Sequence, residues 1–69
     1  MSEQKLYKTF GEHLRIIREK AGLTLKEVAA HIEIDISLLA KIERNERQPT
    51  KILIKNIAHF FKMDEKELF

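Results

Sequence analysis

Cysteine is absent from this 69-residue chain, so neither a disulfide nor a thiolate metal site is open to it. Two glycines and one proline, with no β-branched alternation, leave helices as the element type and an all-α fold class. No apolar run approaches the ~20 residues of a membrane span, and no signal-peptide pattern opens the sequence. These absences point to a soluble cytoplasmic protein. Nor does one sign of charge dominate: thirteen lysines and arginines face eleven acids, for a net charge of +2. The three histidines, His13, His31 and His59, fall on separate predicted helices. They form no ligand pair at helical spacing, and are expected at the surface or its boundary. No nucleophile–base pairing and no glycine-rich phosphate loop stands out. The expectation is a protein that is not an enzyme and that takes no metal and no cofactor. At this length the chain makes one small domain, 1–69. Its core is small enough that its helices must be well capped and closely packed.

What is present is concentrated between Gly22 and Pro49. Thr24-x-x-Glu27 reads as a capping box at the start of a helix. Leu25, Val28, Ala29 and Ile32 follow at helical spacing. Asp35 is a good N-cap for a second helix, whose buried stripe is Leu39 and Ile42. Asn45 tolerates the left-handed conformation that closes a helix. Two short helices joined by so tight a turn, about 24–44, form a helix-turn-helix unit, whose use is to lay its second helix in the DNA major groove. The charge distribution agrees. Lys41, Arg44, Arg47, Lys51, Lys55 and Lys62 gather on and after that second helix, against Glu43 and Glu46.

The remaining chain supplies three further helices. Leu6, Phe10, Leu14, Ile17 and Ala21 place a first helix at about 6–21, with a later start possible at the Thr9-x-x-Glu12 box. Residues 1–5 read as a polar arm. Gly22 stops this helix. Gln48-Pro49-Thr50 breaks the chain, Thr50 caps the fourth helix, and Leu53, Ile54, Ile57, Ala58 and Phe61 give that helix its core face. Asp64-x-x-Glu67 caps a last turn at 65–68, with Leu68 folding back.

These residues resemble the Cro/C1-type (XRE) helix-turn-helix family of phage repressors and small bacterial regulators. The likeness covers about residues 8–69. It is carried by FGEHLRIIREKAGLT, EVA, KIERNERQPT and IAHFFKMDEKELF, and most specifically by Arg18, Gly22-Leu23-Thr24, Ala29, Ile42-Glu43-Arg44 and Pro49. It implies a compact five-helix, lambda-repressor-like bundle that binds operator DNA in transcriptional control. The chain departs from the common pattern at Leu25, where glutamine is usual, and at Glu33 and Asn45, where glycine is usual. Its recognition helix, Asp35 to Lys41, is also unusually apolar. The IDxxLLxKIER pattern is similar to short regulators associated with restriction–modification genes.

The resemblance assigns roles. Arg18 and Glu43 are expected to face each other as a charge-assisted pair that positions the recognition helix. Ala29 lets the two motif helices approach closely. Ile36, Ser37, Lys41 and Arg44 are the candidate base contacts, Ile36 through a thymine methyl and the others through polar groups. Arg15, Lys26, Arg47, Lys51 and Lys55 are phosphate candidates, although Arg15 could equally pair with Glu12 or Glu19. Ile36 and Leu38 could each read a thymine methyl, form a patch for a protein partner or be partly buried by a neighbouring helix. Phe60 and Phe69 remain once the core stripes are assigned, as Ile16 and Ile52 also do, and they are the candidates for a homodimer interface. The leading expectation is a dimer on a pseudo-palindromic operator of double-stranded DNA. Two alternatives stand beside it: a protein-interaction module that keeps the fold, motivated by Leu25, Ile36 and Leu38, and the DNA-binding part of a larger protein.

Overall fold

A computed structural model describes the backbone of residues 9–68 and the side chains of 9–67. The expected polar arm, Leu6, the Leu68 side chain and Phe69 lie outside these. Five helices follow in order: α1 (Phe10–Lys20), α2 (Leu25–His31), α3 (Ile36–Glu43), α4 (Lys51–Phe60) and α5 (Glu65–Leu68). The fold is all-α, as the sequence predicts.

Helix starts are set by side chains that satisfy first-turn amides. The Thr9 hydroxyl accepts from Glu12 N–H at 3.2 Å, so α1 takes the later of its two possible starts. In the Thr24–Glu27 box both reciprocal bonds form, at 3.0 and 2.8 Å. The amide of Thr24, with its hydroxyl, holds the Glu27 carboxyl below its ordinary pKa. Thr50 accepts from Leu53 N–H at 3.1 Å and opens α4. Asp35 occupies the N-cap of α3 but makes no side-chain cap bond. Its side chain is exposed, where water can serve the first-turn amides.

Helix ends share one device. Gly22, Glu33, Asn45 and Lys62 each stand two residues past a helix with φ of 74°, 59°, 63° and 57°. The next N–H in each case returns to the carbonyl five residues back: Leu23 to Arg18, Ile34 to Ala29, Glu46 to Lys41 and Met63 to Ala58, at 2.8–3.1 Å. These are Schellman closures, and in three of the four the residue after the turn is apolar, as the motif favours. Only the first uses glycine.

The core joins all four longer helices. Leu14, Val28, Ala29, Ile32, Leu39, Ile42, Leu53, Ile54, Ile57 and Ala58 are buried. Phe10, Ile17, Leu25, Leu38, Phe60 and Phe61 pack against them from half-buried positions. Two expectations need correction. Ala21 is exposed, because it caps α1 instead of facing inward. His13 is buried, not at the surface. It follows Phe10 by three residues and precedes Ile17 by four, which sets it on the inner side of α1.

One contact locks α1 onto α3. A Cβ placed on buried Gly11 would collide with the carbonyl oxygen of Ile42, and would lie 2.9 Å from that of Glu43 and 2.7 Å from Asn45 Oδ1. Only glycine admits this approach of a helix to the end of its neighbour.

Candidate nucleic-acid interface

The second motif helix is held from behind by an ion pair. Arg18 Nε and Nη2 donate to the two carboxylate oxygens of Glu43, at 2.7 and 3.0 Å. Its Nη1 donates to the Leu23 carbonyl at 2.8 Å. The two side chains are only 11% and 5% exposed. The bond from Glu43 raises the Arg18 pKa against the opposing effect of burial. The guanidinium therefore ties three segments together: α1, the end of α3 and the turn between α1 and α2. This fixes the direction of α3 relative to the body of the protein.

With Leu39, Ile42 and Glu43 turned inward, the opposite side of α3 faces solvent. Ser37, Lys41 and Arg44 recur at intervals of four and three and are all exposed, so they form one line along the helix. Ile36 stands beside them at the first helical position, 45% exposed. Leu38 is half-buried against the core, as is Leu25. Of the apolar departures in the motif, then, two serve packing and one remains on the surface.

Arg44 differs from its expected setting. It caps α3 instead of lying within it. Its Nε and Nη2 donate to the Glu46 carboxylate at 3.0 and 3.1 Å. That bond raises the Arg44 pKa and lowers that of Glu46. Glu46 is itself set in place by the Schellman bond from its N–H to the Lys41 carbonyl. The pair engages Nε and Nη2 of the guanidinium and does not use Nη1. Glu46 was not singled out from the sequence, because a contact across a helix end follows no i, i+3 or i, i+4 rule.

Of the phosphate candidates, Lys26 lies in the first turn of α2, Arg47 in the α3–α4 loop, and Lys51 and Lys55 one turn apart at the start of α4; all are exposed. Arg15 is exposed too, but pairs with Glu19 at 3.2 Å. Phe60 is half-buried, with its ring stacked on His31 at 5.1 Å and set edge-on to Phe61 at 4.8 Å between centroids. Among the described residues, no helix is long and apolar enough to cross a membrane.

Comparison with known proteins places this arrangement. The family model described as Helix-turn-helix matches residues 14–68. No curated protein matches the sequence. Among solved structures, the chain is similar to the restriction-modification controller protein C.AhdI from Aeromonas hydrophila, at 30% identity and a TM-score of 0.83 over 87% of this chain and 91% of that one. It also resembles the clp gene regulator ClgR from C. glutamicum (24% identity, TM-score 0.81, 96% of this chain and 86% of that one). A third likeness is to SinR, the master regulator for biofilm formation, solved in complex with DNA (23%, 0.81, 87% and 97%). The last two speak for the fold alone.

Proposed function

Because the chain belongs to the Cro/C1-type helix-turn-helix family of transcription regulators, we propose that it lays α3 in the major groove of double-stranded DNA and reads a pseudo-palindromic operator as a homodimer. The observation that carries this reading is the exposed line Ser37–Lys41–Arg44 on a helix whose back is clamped by the buried Arg18–Glu43 pair. A reading helix has to present polar groups outward and keep a fixed direction. Ser37 and Lys41 meet base edges, and Ile36 supplies an apolar contact to a thymine methyl. Arg44 donates from the Nη1 that Glu46 does not engage. Lys26, Arg47, Lys51 and Lys55 take phosphates. Arg15 joins them only by giving up Glu19.

A single small domain reads few base pairs, and two-fold symmetry doubles the number. The likeness to C.AhdI, together with the pattern from Ile34 to Arg44, supports a finer reading in which the operator controls restriction–modification genes.

Selection of binding sites from a random duplex pool tests the proposal. The expected result is one palindromic consensus. A pool that shows no enrichment rejects it in favour of a protein-interaction module.

A further inference from the structure

Two large apolar side chains stand exposed among the described residues, and the more exposed is Ile52, at 72%. It is the second residue of α4, turned away from the core face that Leu53 and Ile57 occupy. Beside it lies an open groove of about 320 Å³ between α3 and α4. Ile34, Leu38 and Leu53 supply apolar lining, and Glu33 and Arg47 contribute charges of opposite sign.

We propose that this face is where two copies of the chain meet, with Ile52 of each copy seated in the groove of the other. A contact of this kind is isologous, so the same patch must carry both the projection and the recess. Here it does. Such a patch must also avoid bringing like charges together. Glu33, from the α2–α3 turn, and Arg47, from the α3–α4 loop, give it one charge of each sign, so two copies can meet here without a net excess of like charge. Leu38 and Ile34 enter the groove while the Ser37–Lys41–Arg44 line stays outside it, which leaves the reading face uncovered. Phe60, by contrast, already stacks within its own subunit. The inference deepens the proposed function and rests on it for its biological use, but the contact itself is measurable without DNA.

The test is sedimentation equilibrium of the full chain, parent against Ile52→Glu, without DNA. The parent is expected to dimerise. The variant is expected to keep its helical circular dichroism and raise the dissociation constant at least about thirtyfold, as loss of a central anchor does. A second measurement does not depend on how that variant folds. The sequence has no cysteine, so Gln48→Cys, on the groove, and Lys66→Cys, on α5, each give a single thiol. A bis-maleimide should join copies of the first and not of the second. A parent that sediments as a monomer, parental dimerisation by folded Ile52→Glu, or linking at position 66 and not at 48 would overturn the proposal. On a duplex carrying one half-site, the neutral Ile52→Ser, which adds no charge beside Lys51, should bind as the parent does. If the parent itself fails to bind any duplex, the DNA reading falls while sedimentation still decides the interface.

Discussion

Arg18 and Glu43 form the most buried charge contact described, and removing one partner strands the other. Arg18→Ala and Glu43→Ala should each cost about 3 kcal/mol of unfolding free energy, because an uncompensated charge stays in a low-dielectric site. The double variant should cost clearly less than the sum, a coupling that denaturant titrations of all four proteins would measure. Arg15→Ala, which breaks an exposed pair, should cost less than about 0.5 kcal/mol. The outward residues should separate by role. Lys41→Ala should lose about 1–3 kcal/mol of discrimination between operator and scrambled duplex, whereas Lys51→Ala should weaken both alike. Competition binding decides this, and equal losses for Lys41→Ala would remove it from the base-reading set. The Arg18–Glu43 pair was legible only through family likeness, since 25 residues separate its members. The Arg44–Glu46 pair was not, because its geometry depends on how the helix ends.

Each helix end described here uses the left-handed region, and three of the four place a residue there that has a Cβ. Such a residue is strained by about 1–2 kcal/mol. Glu33→Gly should therefore stabilise the domain, by a net amount of about 0.5–1 kcal/mol once the extra freedom of the unfolded chain is counted. Lys62→Gly should behave alike. Gly22→Ala should destabilise for conformational reasons alone, since nothing lies within 4 Å of an added Cβ there. Thermal melts at a protein concentration low enough to keep every variant monomeric would show all three signs. The elements themselves were readable because threonine caps and apolar spacing are local signals. Thr24, Thr50, Gly22 and Asn45 all stand at the helix boundaries predicted for them. Lys62 gave no such signal, since lysine has no preference for that conformation. His13 misled because polarity was weighed without its place on the Phe10–Ile17 side of α1.

At the scale of the whole molecule, net charge says little and placement says more. If Lys26, Arg47, Lys51 and Lys55 of both subunits each neutralise a phosphate, log K should fall against log salt with a slope near −7. Arg15→Ala should leave that slope unchanged, while Lys55→Ala should flatten it by about 2 for the dimer. Fluorescence anisotropy across a salt series measures this, and a slope near zero rejects backbone contact by this face. The meeting of α1 and α3 at Gly11 has a different kind of consequence, one of mutational history. Most tight contacts in a core lie between side chains, so a change in one residue can be relieved by a change in its neighbour. At Gly11 the obstructing atoms include the carbonyls of Ile42 and Glu43, which every residue type carries. Asn45→Gly would clear one of the three obstructions and leave the other two. In a pairwise mutational scan scored by folding, position 11 should therefore have no side-chain suppressors, and glycine there becomes a fixed point around which the rest of the sequence is free to drift.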